Sequence, residues 1–79
     1  MEKLIELSQE EVLLGFVASC IEYTARRLGR PYQDIFARMQ RTDMINNYLI
    51  PCYDTLHTES REHITDNVIA YLKEREELR

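Results

Sequence analysis

Apolar side chains recur at helical spacing along most of the chain and divide it into about four predicted helices. The first helix runs from Gln9 to Leu28. It opens on Ser8-Gln9-Glu10-Glu11, which is typical of a capping box, and Gly29 can end it in a left-handed conformation. Its apolar positions cover more than one stripe and include Leu13, Leu14, Phe16, Val17, Cys20, Ile21 and Leu28. We therefore expect this helix to be central, with more than one neighbour packed against it.

Two shorter helices are predicted next. Pro31 suits the first residue of a second helix, because its fixed φ fits a first turn. The apolar residues that follow have the spacing of one buried face: Tyr32, Ile35, Phe36 and Met39. Thr42 offers a cap for a third helix that Asp43 would begin, and Pro51 would close that helix.

Residues 50–58 are predicted to be an irregular segment, either a turn or a short helical piece, because Pro51 restrains Ile50 and cannot donate a backbone hydrogen bond. Thr58 or Ser60 can then cap a last helix through about Glu77. The expected fold is all-α, a compact bundle of about four helices. It forms a single domain over residues 1–79, with residues 1–7 as an N-terminal extension.

Charge is unevenly distributed along a chain whose formal net charge is -4. Between Thr24 and Thr42 the sequence places Arg26, Arg27, Arg30, Arg38 and Arg41 against Asp34 alone. We expect Arg38 and Arg41 to point to water, as part of a solvated face or of a patch for an acidic protein surface. Glu77 is expected on a solvated helix end, paired with Lys73.

The net charge argues against general binding to nucleic acid or to anionic membranes. A helix-turn-helix reader is not expected either, because the helix that would begin at Asp43 carries no Arg or Lys. The two cysteines, Cys20 and Cys52, are expected to be free thiols. With no signal-peptide pattern and no apolar run long enough to cross a bilayer, the expected location is the cytoplasm.

Cys52, Asp54 and His57 lie close together in the irregular segment and could form a nucleophilic site if the fold aligned them. We favour the alternative, in which Asp54 and His57 bond backbone groups around the proline turn. Metal-ligand spacings and glycine-rich phosphate loops are missing from the sequence, so we predict no catalytic residue, cofactor or metal. Gly15, inside the first helix, suggests close approach of another helix or of a partner.

Several runs of the chain resemble a known family. They are Phe16-Val17, Cys20-Ile21-Glu22, Tyr48-Leu49-Ile50-Pro51 and Tyr53-Asp54-Thr55-Leu56-His57-Thr58. Over roughly Glu10 to Lys73 the chain is similar to the small bacterial proteins grouped as domain of unknown function 3791. The resemblance implies an antitoxin-like or accessory role beside a neighbouring bacterial protein.

The leading functional hypothesis is a small non-enzymatic protein-interaction module. Its expected contacts are Pro51, Tyr53, Asp54, Leu56 and His57, with Arg26, Arg27, Arg38 and Arg41 as a charged rim. The expected partner is another protein, such as one encoded nearby, or a second copy in a homodimer. Two alternatives remain open: nucleic-acid binding through the basic region from Arg26 to Arg41, and a small enzyme built on Cys52, Asp54 and His57.

Overall fold

The computed structural model describes residues 8–78, and over that range the chain forms helices and turns without a strand. The helices are, in order, α1 (Gln9–Leu28), α2 (Tyr32–Thr42), a π-helical turn (Ile45–Leu49), α3 (Tyr53–Leu56) and α4 (Arg61–Glu74). The predicted all-α bundle is confirmed. The N-terminal extension predicted at residues 1–7 lies outside the described residues.

Helix α1 begins and ends as its sequence predicts. The Ser8 hydroxyl accepts a hydrogen bond from the backbone N–H of Glu11 at 3.2 Å, and the Glu11 carboxylate accepts one from the backbone N–H of Ser8 at 3.0 Å. This reciprocal capping box satisfies two backbone N–H groups at the start of the helix. Gly29 ends the helix in the left-handed conformation, with φ 66°.

The core lies where α1 packs against α2 and α4. Its most deeply buried apolar side chains are Ile21, Ile35, Met39, Met44, Leu49, Val68 and Leu72. Three predictions of burial are wrong, since Leu14 is 66% exposed, Tyr32 is 42% exposed and Phe36 is 37% exposed. Leu14 and Phe36 line a hollow of about 380 Å³ between α1, α2 and the π-helical turn. They are exposed because no described element fills that hollow.

The junction after α2 differs from the prediction. Thr42 is the last residue of α2 and does not cap a third helix, because its hydroxyl donates to the carbonyl of Met39 at 2.9 Å. Asp43 adopts a left-handed conformation with φ 58° and ends α2. An Asp side chain tolerates this conformation because it can bond locally, and here it accepts from Asn46 and Asn47. The predicted third helix is replaced by the π-helical turn.

The C-terminal residues also depart from the prediction. Ser60 caps α4 through the backbone N–H of His63, but α4 ends at Glu74 and Glu76 is left-handed, with φ 63°. The chain then turns Glu77 toward α2, where the Arg41 guanidinium donates to both carboxylate oxygens and Arg38 donates to the backbone carbonyl. We call Arg38, Arg41 and Glu77 the C-terminal clamp. The predictions of solvated Arg38 and Glu77 are wrong, since their side chains are only 20% and 18% exposed.

Candidate functional site

The segment predicted to be irregular is held in place by its own hydrogen bonds. After Pro51 the chain makes one helical turn, in which the N–H of Leu56 donates to Cys52 and the N–H of His57 donates to Tyr53. Leu56 is buried in the core, so this residue anchors the segment and cannot be one of its surface contacts. Pro51 is exposed, as the sequence hypothesis requires of a contact residue.

Tyr53 and His57 form a pair one turn apart on this segment. Their rings stack with centroids 4.5 Å apart and planes inclined by 12°. The His57 Nδ1 lies 2.8 Å from the Tyr53 carbonyl oxygen, which fixes the orientation of the imidazole. Phe16 of α1 meets the Tyr53 ring edge-on at 5.1 Å, with an interplanar angle of 81°. These contacts join the segment to α1, and the side chains of Phe16, Tyr53 and His57 all line one groove.

This groove, which we call the α1 groove, has a volume of about 420 Å³ and runs along α1. Its floor consists of α1 side chains: Val12, Gly15, Phe16, Ser19, Cys20 and Tyr23. Its wall consists of residues from the following part of the chain: Tyr53, His57, Glu59, Arg61, Ile64 and Thr65. The lining is therefore largely apolar and aromatic, with a few polar groups, as is usual for a binding site.

Two charged side chains of opposite sign, Glu59 and Arg61, belong to the wall. The Arg61 guanidinium carbon lies 4.6 Å from the centroid of the Tyr23 ring, a cation–π contact at one end of the groove. The Glu59 Oε1 lies 3.0 Å from the Nε2 of His63. That oxygen is buried and has no well-aligned hydrogen-bond donor among residues 8–78. Glu59 and Arg61 are thus the charged groups that a ligand in the groove would meet.

The arginines of the basic region are paired within the molecule. Arg26 pairs with Glu22 at 2.8 Å on α1, and Arg27 reaches Asp66 of α4 at 2.7 Å. Arg30 and Arg38 share the Asp34 carboxylate, and the hydrogen bond from Arg38 is the main reason that the pKa of Asp34 is lowered. Arg38 and Arg41 also belong to the C-terminal clamp. The basic region is therefore largely neutralised by carboxylates.

Within residues 8–78, no side-chain hydrogen bond joins Cys52, Asp54 and His57 to one another. The His57 Nδ1 is already in contact with the Tyr53 carbonyl, and the Asp54 side chain makes no hydrogen bond within the described residues. Cys20 lines the groove, but burial raises its pKa to about 11, so its thiol stays protonated at neutral pH. Within residues 8–78, no cluster of three His, Cys, Asp or Glu side chains could hold a metal ion.

The sequence predicts some residues of this groove but not the others. Tyr53 and His57 were predicted as contacts, and both line it. Phe16, Tyr23 and Arg61 were not predicted, although Phe16 and Tyr23 recur on one face of α1 at a spacing of seven residues. Arg61 gave no sequence signal, because only the fold brings it over Tyr23.

None of the helices in the described part of the chain is long and apolar enough to span a membrane.

Comparison with known proteins gives a family and little more. No curated protein and no solved structure matches the chain. The family model described as "Protein of unknown function (DUF3791)" matches residues 15–75, which include most of α1, all of α2 to α4 and every residue of the groove except Val12. The chain therefore belongs to the DUF3791 family of proteins of unknown function.

Proposed function

We propose that this protein is a small non-enzymatic interaction module that binds a partner protein in the α1 groove. The observation that carries the proposal is an open, aromatic-lined groove at the place where the irregular segment meets α1. Aromatic side chains are enriched in protein interfaces, because each presents a large apolar surface with little conformational freedom to lose. An antitoxin-like or accessory role beside another bacterial protein is the biological form that we propose for this binding.

Charge pairing supports this proposal over the nucleic-acid alternative. Binding to nucleic acid depends on cations that are free to meet phosphates. In the basic region each of Arg26, Arg27, Arg30, Arg38 and Arg41 lies within 4.0 Å of a carboxylate instead. Because these arginines are paired within the molecule, we do not retain them as the charged rim of the contact surface. The proposed contact surface is the α1 groove.

The proposal is tested by capturing the partner from the native host, identifying it by mass spectrometry and measuring its affinity for the purified chain. We expect Tyr53→Ala combined with His57→Ala to weaken binding at least about tenfold, because a few aromatic contacts often carry a large share of the binding energy of an interface. The matched control is Tyr32→Ala, since Tyr32 is 42% exposed on α2 and lies outside the groove.

Circular dichroism and thermal melting must show that both variants keep the fold. Unchanged affinity in a folded Tyr53→Ala, His57→Ala variant would mean that the groove is not the binding site.

A further inference from the structure

The floor of the α1 groove is one continuous face of a helix. From Val12 to Tyr23 its residues follow i, i+3, i+4 spacing, and this face is about 16 Å long at the rise of an α-helix. A wall from Tyr53 to Thr65 stands along one side. An apolar helix face of this length, bordered by a wall on one side, has the dimensions to pack against a partner helix of about three turns.

Gly15 supports close approach of such a helix. It is exposed, and a Cβ built on it would meet no atom within 4 Å, so packing within residues 8–78 does not require a glycine there. Glycine weakens the interior of a helix relative to alanine. Ser19, one turn further along the floor, is also small and exposed. Together Gly15 and Ser19 leave room for the backbone of a second helix.

Arg61 indicates the charge that this helix carries. Among the described arginines it is the one without a carboxylate partner, whereas the others lie within 4.0 Å of one: Arg26, Arg27, Arg30, Arg38, Arg41 and Arg75. The Tyr23 ring holds the Arg61 guanidinium at the end of the groove. The other charged group of the wall, Glu59, lies beside His63. Arg61 is therefore available to form an ion pair with an anionic group of a partner.

We propose that the α1 groove binds an amphipathic helix that packs its apolar stripe against Phe16 and Ile64 and pairs an Asp or Glu side chain with Arg61. This inference rests on the proposed function and specifies the segment that the partner presents.

The test uses two synthetic helical peptides of about 14 residues, long enough to cover the groove. Both carry the same leucine stripe, and they differ in having Glu or Lys beside one end of the stripe. We expect the unmodified protein to bind the Glu peptide about fivefold more tightly at low salt, the size of an exposed ion pair, with the preference shrinking as salt is added. Fluorescence anisotropy of labelled peptides measures both affinities.

Arg61→Glu should reverse the preference and favour the Lys peptide. This variant should fold, because an acidic residue suits the first turn of α4. The control is Arg75→Glu, a matched charge reversal at the other end of α4, where Arg75 lies over Tyr71 and pairs with Glu74. It should leave the preference unchanged.

Gly15→Leu should weaken binding of both peptides while thermal melting shows an intact fold. Equal affinity for the two peptides, a preference that Arg61→Glu does not alter, or no binding of either peptide would overturn the inference. These outcomes are distinct from failure of the proposed function, which is decided by the natural partner and the Tyr53→Ala, His57→Ala variant.

Discussion

The Thr24 hydroxyl is a polar group in the core that lacks a hydrogen bond within the described residues. The side chain that carries it is fully buried. Thr65 is 4% exposed, but its hydroxyl donates to the Arg61 carbonyl at 2.7 Å. The two threonines are alike in size and burial and differ in this one hydrogen bond, so they form a matched pair for measuring its contribution.

We expect Thr24→Val to raise the free energy of unfolding by about 1 kcal/mol, because valine has nearly the same shape and removes an unsatisfied buried hydroxyl. Thr65→Val should not stabilise the protein to the same extent, since it deletes a formed hydrogen bond. Urea denaturation of the two variants measures both changes. Destabilisation by Thr24→Val would show that its hydroxyl is satisfied in solution.

At the level of single elements, the two glycines of the chain have opposite roles. Gly29 ends α1 with φ 66°, which side chains with a Cβ adopt at a cost. Gly15 lies within α1, where that freedom is a disadvantage and where a methyl group would contact nothing described. Its cost to the helix is consistent with a role in binding.

Gly29→Ala should therefore lower the free energy of unfolding by about 1 kcal/mol, and Gly15→Ala should raise it by about 0.5–1 kcal/mol. Each variant serves as the control for the other, because both add one methyl group. Thermal melting followed by circular dichroism gives the two signs. Stabilisation by Gly29→Ala would be inconsistent with the left-handed end of α1.

Helix α1 could be predicted in full because its signals are local. Ser8, Glu11 and Gly29 cap it through contacts within three or four residues. The junction at Thr42 and Asp43 could not be predicted from the sequence, because both residue types are common at the start of a helix. What decides the outcome is the left-handed backbone of Asp43 together with a side chain that accepts from Asn46 and Asn47.

For the molecule as a whole, the C-terminal clamp joins residues that are far apart in sequence. The hydrogen bond from Arg41 is the main cause of the lowered pKa of Glu77, and Arg38 adds to it. A carboxyl group whose pKa is lower in the folded than in the unfolded state stabilises the fold above its unfolded value. That stabilisation is lost as the pH falls through the folded pKa.

We therefore expect Glu77→Gln to destabilise the protein at neutral pH and to matter less as the pH falls below the ordinary glutamate value of 4.5. The control is Glu74→Gln, because the Glu74 side chain is 78% exposed. Urea midpoints measured from pH 7 to about pH 3 give the dependence. A deficit of Glu77→Gln that persists unchanged at low pH would rule out the carboxylate as its cause.

The clamp and the α1 groove also show where sequence reasoning reaches its limit. Tyr53 and His57 could be singled out because helical periodicity fails around Pro51. Arg61 lies in the first turn of a regular helix, and its local sequence does not reveal that it lacks a carboxylate partner among residues 8–78. The sequence predicts Glu77 on the charged end of the last helix, but α4 ends at Glu74 and Glu77 lies beyond it.

Helix α1 contributes to both the groove and the core. Its side chains Phe16 and Tyr23 line the groove, whereas Val17 and Cys20 belong to the core. A ligand held in the groove would bind only the folded chain and would add to its stability by thermodynamic linkage. At a free ligand concentration of a hundred times Kd, binding would raise the free energy of unfolding by about 2.7 kcal/mol. That is a large fraction of the total free energy of unfolding of so small a domain. A chain with an occupied groove would therefore unfold less often, and proteases would cleave it more slowly than a chain with an empty groove.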